Sequence, residues 1–347
     1  MSALNALSQD LISRFRSGEL KPDNLRLKEQ VSPPLSEDIH VPDALSAEQQ
    51  ASLRALGEQA LAQAEVGAIV LVGGMATRFA YTLPKALFPI LGEKTFLELK
   101  ILSLKAQGIP LYLMTSFHAH APITAFLEEH DWFGYRDKTF LFQQFHLPRI
   151  YSDGSVREVD GEIEYATSGH GDFVDALKQA GLLSHFVKAG GKYLLFSNID
   201  NLGATPDPLL LGLHIDKGSE MSIEVAAKAP GDKGGAPARV NDRLQLVEEF
   251  LFPAQFDQDS IQVFNTASYI FSAPVLERPF ELPWYAVEKK VEGQTVIQFE
   301  HLAGDLSREL SVCVVKVERD QRFLPVKRQE DVETVRPLIE AKFVGLV

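Results

Sequence analysis

Cysteine is nearly missing from this chain: Cys313 is the single one in 347 residues, so no internal disulfide can form. That usage suits a reducing compartment, and a cytoplasmic location is expected. Long apolar runs are missing too. No stretch approaches the ~20 apolar residues of a membrane-spanning helix, and the N-terminus lacks a basic region followed by an apolar one, so neither a membrane partner nor a secretory leader is expected. Positive charge falls short of negative, with Lys+Arg 34 against Asp+Glu 47 and a net charge of -13. Such a balance repels nucleic-acid phosphates unless a local basic patch overrides it, and no nucleic-acid partner is expected. Repeats and low-complexity tracts do not occur. What is present, 45% hydrophobic and 23% charged residues, is ordinary for a globular protein. The length allows one large α/β domain with appendages or two modest domains.

Residues 1 to about 65 read as polar helices. LNALSQDLISRFRSG has apolar positions at helical spacing and a stop at Gly18, and a longer helix starts near Ser46 and ends by Gly67. VSPPLSEDIHVPD between them reads as an irregular crossing. From Ala68 strand and helix alternate: TFLELKILSLKAQG helix, PLYLMTS strand, APITAFLEEHDWF helix, KTFLFQQ strand, then one or two helices and the strand KYLLFS. From about Met221 strands and turns dominate, with SIEVAAK, LQLVEEF, TASYIFS, TVIQFE and SVCVVKV before a final short helix. The alternation predicts an α/β fold with a mainly parallel sheet flanked by helices. Cys313, inside SVCVVKV, reads as a small core residue.

The most informative string is LVGGMATRFAYTLPK, Leu71 to Lys85. The apolar residues Ala68 to Val72 are continuous rather than alternating, as in a central parallel strand covered on both faces. Gly73 and Gly74 end that run, and glycine lets backbone N–H groups approach a ligand closely. Thr77, Arg78 and Lys85 add donors and charge, so the loop reads as one that wraps an anion, with Lys85 as a mobile point charge for phosphate. The string resembles the signature of the eukaryotic-type UTP-sugar pyrophosphorylases, roughly L-x-G-G-x-G-T-x-x-G-x-x-x-P-K. Leu71, Gly73, Gly74, Thr77, Pro84 and Lys85 hold its spacing, while Ala76 and Ala80 stand where the family usually has glycine.

Further strings follow in the family's order. QQFHLPRI resembles its Q-x-x-x-P-R-I segment, which makes Gln144 the counterpart of the glutamine that reads uracil. A Gln amide donates and accepts at once, as that base edge requires. SGHGDFVDAL resembles the G-H-G-D stretch of the glucose-type enzymes, with Gly169 on the nucleotide and His170 towards the sugar. The N-acetylhexosamine enzymes tend to have G-N-G-G there. KYLLFSNIDNLGA resembles N-x-D-N-L-G-A, and Asp200 matches the metal-binding aspartate; a carboxylate just beyond a strand end can also cap a turn. DKGGAPAR carries Lys233 in the counterpart of V-K-G-G, LQLVEEF has Glu248 at the sugar-contacting glutamate, and VFNTASYIF has Asn265 in the F-N-T motif. TVIQFEHLAGDLS resembles V-I-Q-L-E-x-x-x-G and reads as core scaffold, not contact. RFLPVKRQEDV resembles F-L-P-V-K and makes Lys327 the second phosphate lysine.

The resemblance implies a Rossmann-like, glycosyltransferase A-type nucleotide-binding fold and a uridylyltransferase that forms a UDP-sugar and pyrophosphate from UTP and a hexose 1-phosphate. Glucose 1-phosphate is the favoured sugar substrate and Mg²⁺ the implied cofactor. Lys85 and Lys327 would be catalytic. Two other readings stay open: a non-catalytic UDP-sugar-binding paralogue, prompted by Ala76 and Ala80, and an enzyme acting on N-acetylhexosamine 1-phosphate or several sugars. The implied organisation is an N-terminal helical segment over 1–65, a catalytic domain over 66–332 and a short C-terminal helix over 333–347, without the C-terminal β-helix domain of the eukaryotic glucose enzymes. A monomer is the default expectation.

Overall fold

The computed structural model describes residues 4–76, 81–229, 232 and 234–346. Its centre is an eight-stranded sheet built from β1 (Ile39–His40), β2 (Val66–Leu71), β3 (Leu111–Thr115), β4 (Thr139–Gln143), β5 (Tyr193–Asn198), β6 (Met221–Ala227), β7 (Val263–Ser272) and β8 (Val312–Val317). The spatial order is β1-β8-β6-β7-β5-β2-β3-β4, and β7 alone runs antiparallel to its neighbours. The mixed, mainly parallel α/β class expected from the alternation is what the chain adopts.

The continuous apolar run explains β2. Ala68, Val70 and Val72 enter one core while Ile69, pointing the other way, enters a second, so both faces of the strand are covered. The first core gathers buried residues of α2 (Ala47–Ala62), α3 (Phe96–Lys105), α4 (His120–Glu129), α7 (Pro208–Lys217) and α8 (Gln329–Phe343). The second gathers α5 (Phe173–Gln179), α6 (Leu182–Lys188) and the small sheet of Val31–Ser32, Ala236–Val240 and Arg243–Val247. Helix α1 (Ala6–Arg16) packs Leu11, Ile12 and Phe15 against the hairpin of Tyr285–Val291 and Gln294–Glu300 through Ala286, Ile297 and Phe299.

Local chemistry sets the element ends. Ser46 caps α2 in a reciprocal capping box with Gln49. The helix stops at Ala62, short of Gly67, because β2 already begins at Val66. Helix α8 begins at Gln329, ahead of the expected boundary at 333, since the Asp331 carboxylate accepts from the Lys327 and Arg328 N–H groups, 2.7 and 2.8 Å. The N-terminal segment also supplies strands: β1 lies at the sheet edge beside β8, and Val31–Ser32 pairs with Ala236–Val240. Cys313 is 2% exposed within β8.

Candidate active site

The carboxyl ends of β2, β3, β4 and β5 face one cleft of about 290 Å³, where ligands of open α/β sheets bind. Leu71, Gly73, Gly74, Lys85, Gln144, Gly169, His170 and Asp200 all line it, from five separate stretches of sequence. The register explains the convergence. Asn198 at the end of β5 pairs with Leu71 at the end of β2, and the Gln144 N–H donates to the Thr115 carbonyl at the end of β3, 2.8 Å.

Each glycine has its own reason. A methyl group at Gly73 would lie 2.8 Å from the Ser116 nitrogen, so the loop leaves the strand tight against the β3 end, with the Ser116 hydroxyl donating to the Gly73 carbonyl at 2.8 Å. At Gly74, its chain neighbours aside, no atom of the described residues lies within 4 Å of that position, and the exposed backbone lines the cleft. Gly169 has φ 84°, and a side chain there would overlap the His301 carbonyl oxygen. The Lys85 N–H donates to the Gly74 carbonyl at 2.9 Å.

Lys85 and Asp200 meet across the cleft at 2.6 Å, with 14% and 21% of their side chains exposed. An anion arriving there meets a cation held ready by a carboxylate. Gln144 donates through Nε2 to the Gly169 carbonyl, which fixes the plane of its amide. The Ala303 N–H donates to His170 Nδ1 at 3.0 Å, so Nε2 carries the proton as a directional donor. Burial lowers the His170 pKa to about 4, which keeps the ring neutral. Beneath it Asp172 accepts from the Ser168 hydroxyl at 2.5 Å and the Phe145 N–H at 2.8 Å, tying the Gly169–Asp172 loop to the β4 end.

Glu248 and Asn265 lie outside that cleft lining and adjoin Gly235. The Asn265 N–H donates to the Gly235 carbonyl at 2.8 Å; burial pushes Glu248 up to about 7 against the pull of a Gly235 backbone hydrogen bond. The Asn265 side chain serves a bulge in β7: its Nδ2 donates to the Tyr269 hydroxyl at 2.8 Å, and its Oδ1 accepts from the N–H of Ala267, a residue at φ 57°. Lys327 is exposed. Its segment nonetheless adjoins the cleft floor, because the Val326 N–H donates to the Asp200 carbonyl at 3.3 Å. Thr77, Ala80 and Lys233 lie outside the described residues. Ala76 is 1% exposed and packs its methyl into the first core.

Met114, Thr167, Asn198, Ile199 and Glu300 complete the lining. Asn198 was visible in the string N-I-D-N, two residues ahead of Asp200. Glu300 corrects the reading of TVIQFEHLAGDLS as scaffold alone: Phe299 is core, but Glu300 faces the cleft. Among the described residues no group of three or more His, Cys, Asp or Glu is arranged to hold a metal. Among the described residues the cleft lining offers two carboxylates, Asp200 and Glu300, and Asp200 stands beside the phosphate lysine Lys85; so sparse a donor set fits Mg²⁺ shared with substrate phosphates and not an all-protein cage.

The family model described as UTP–glucose-1-phosphate uridylyltransferase matches residues 10–339. The chain belongs to that family. Among relatives of the UTP–glucose-1-phosphate uridylyltransferase family, enzyme 2 of Dictyostelium discoideum is 29% identical over 310 residues, covering 82% of this chain and 61% of its own. The Pyrus pyrifolia enzyme is 30% identical over 288 residues, covering 77% and 60%. The chain thus spans about 60% of the length of these two relatives. A variant UDP-glucose pyrophosphorylase of Leishmania major, in complex with UDP-glucose, has the same fold with TM-score 0.77 at 24% identity, covering 96% of this chain and 80% of that one. The UDP-N-acetylglucosamine pyrophosphorylase of Trypanosoma brucei also reaches TM-score 0.77, at 21% identity over 97% and 79%. Among the described residues no helix is long and apolar enough to cross a membrane.

Proposed function

We propose that the protein is a uridylyltransferase coupling UTP to a hexose 1-phosphate, with glucose 1-phosphate preferred and pyrophosphate released. The observation that carries this is the Lys85–Asp200 pair at 2.6 Å, set beside the exposed backbone of Gly74 at the strand ends. A phosphate oxygen of the sugar phosphate attacks the α-phosphorus of UTP; that P–O bond forms as the bond to the leaving pyrophosphate breaks. The attacking oxygen is already ionised near neutral pH, so no general base is needed, and the protein contributes orientation and charge neutralisation. Gly73, Gly74 and Gln144 seat the uridine, with Leu71 and Gly169 forming its walls. Lys85 neutralises phosphate charge. Lys327 would approach from the 322–327 segment, and Thr77 and Lys233 would add donors. His170 offers its Nε2–H towards the sugar, with Glu248 and Asn265 on the far side. Asp200 would hold Mg²⁺, which when bound withdraws charge from the phosphates.

Two observations bear on the alternatives. The Ala76 methyl is turned into the core, which removes one of the two motives for a non-catalytic paralogue. The G-H-G-D tetrapeptide favours an unmodified hexose over an N-acetylhexosamine. A monomer is the proposed working unit. A cytoplasmic setting accords with the lone, buried Cys313 thiol, whose pKa burial pushes up to about 11.

The test is pyrophosphate release from UTP and Mg²⁺ with glucose, galactose and N-acetylglucosamine 1-phosphates. Glucose 1-phosphate should give the highest kcat/KM, and Lys85→Ala should lower kcat by about 10²–10³ with its circular dichroism unchanged, as for loss of one charge-stabilising donor. Silence across the panel, with UDP-glucose binding intact by calorimetry, would favour the non-catalytic binder.

A further inference from the structure

Helix α3 is buried nearly all round, and in the middle of its apolar run stands Lys100, 2% exposed. Its ammonium donates to the Ala204 carbonyl at 2.8 Å, with the Asn201 carbonyl at 3.4 Å and the Ser197 hydroxyl at 3.5 Å. Among the described residues no carboxylate lies within ion-pair distance of it. A desolvated amine held by neutral oxygens is a costly choice, and an apolar side chain of similar volume is often neutral or better for stability. The three acceptors share one feature: they surround the turn that carries Asp200.

That turn is tied onward. The Asn201 amide donates to the Arg322 carbonyl at 3.1 Å, and its Oδ1 accepts from the Leu324 N–H at 2.9 Å and the Gly203 N–H at 3.2 Å. Gly203 is forced by this approach, because a methyl group there would lie 2.5 Å from the Arg322 carbonyl oxygen. Arg322 is itself anchored, with Nη2 and Nε on Glu224 at 2.6 and 3.0 Å and Nη1 on the Thr205 carbonyl at 2.7 Å. Three residues beyond Leu324 comes Lys327. Arg322 and Lys342 face Lys100 with like charge, Glu224 and Asp200 with opposite charge, and burial lowers the Lys100 pKa to about 7.

We propose that Lys100 is a positioning residue for the phosphate side of the cleft: from beneath the sheet it fixes the Asp200 turn and, through Asn201, the segment that delivers Lys327. Asp200 and Lys327 then keep one mutual arrangement while the substrates change charge and shape. The roles of Asp200 and Lys327 rest on the uridylyltransferase reading; the mechanical coupling does not.

The test has one readout for each part. Hydrogen exchange compares the Leu324 and Val326 amides in wild type and Lys100→Met, where protection should fall at least about tenfold while β2 and β3 amides keep theirs. Turnover compares Lys327→Ala in both backgrounds. Coupling requires that its cost in kcat, about 100-fold in wild type, shrink to below about tenfold in Lys100→Met. Wild-type exchange at Leu324 and Val326 in Lys100→Met, or costs that simply multiply, overturns the proposal. If Lys100→Met does not fold, Lys100→Gln, which keeps a donor without the charge, carries the same comparison with the same deciding outcomes. A wild-type protein that turns over no sugar phosphate defeats the functional reading, and the exchange comparison still decides the coupling.

Discussion

At the scale of single residues, buried acids concentrate beside the cleft wall. Asp305 is 3% exposed; its Oδ1 accepts from the Tyr285 hydroxyl at 3.1 Å, and among the described residues nothing donates to its Oδ2. Burial pushes its pKa up to about 7, against the pull of Arg308, and the nearby Glu248 raises it further. The folded protein therefore holds this proton to near pH 7, whereas the unfolded chain releases it near pH 4. Between those values the native state binds more protons, so stability falls as pH rises, by on the order of 3 kcal/mol for this group. Asp305→Asn is neutral throughout, and its unfolding free energy relative to wild type should increase between pH 5 and pH 8. An identical difference at both values, measured by urea unfolding, would refute the buried-acid account. Sequence motifs did not reveal Asp305 or Lys100. Both act through surroundings that distant segments create, and an isolated charge in a sequence reads as a solvated one. Gly73, Gly74, Gln144, Gly169, His170 and Asp200 were legible because their chemistry depends on local strings, whereas Met114 and Thr167 contribute surface that any of several residue types could supply.

At the scale of elements, the crossing of α2 and α7 shows what a spacing pattern leaves unsaid. A methyl group at Gly212 would overlap the Leu53 carbonyl oxygen, and one at Gly57 would overlap that of Pro208, so each helix passes over bare backbone of the other. In sequence both glycines look like weak points of a helix, since they lower its intrinsic propensity. In the fold they permit close approach. Gly212→Ala should therefore destabilise the protein by about 2–4 kcal/mol through overpacking, despite the better helix propensity of alanine. A gain in stability on chemical denaturation would show that the helices can part without penalty. The strands were readable where period and length were both present, as in β2, β3, β5 and β8. Val31–Ser32 and Ile39–His40 were not, because a two-residue strand has no period, and its place is set by the partners Arg239, Val240, Val314 and Val315.

At the scale of the whole molecule, the cleft draws on both cores. Lys85 leads into Ala86 and Leu87 of the first core, while His170 precedes Phe173 and Val174 of the second, and strand β2 contributes to both. The terminal segments are tied in as well: Arg239 makes two hydrogen bonds to Asp38 at 2.6 and 2.7 Å, and Ile339 and Phe343 of α8 lie in the first core. A ligand seated across this cleft touches elements of both cores, so its binding energy should stabilise the molecule as one unit. With UDP-glucose at 100 times its Kd, mass action adds about 2.7 kcal/mol to the folded state, enough to raise Tm by roughly 3–6 °C for a chain of this size. Calorimetry should therefore record a single transition that moves as a whole with UDP-glucose, and by much less in Lys85→Ala at the same ligand concentration. Two transitions, one of them indifferent to ligand, would mean that the cores unfold separately and that the cleft belongs to one of them alone.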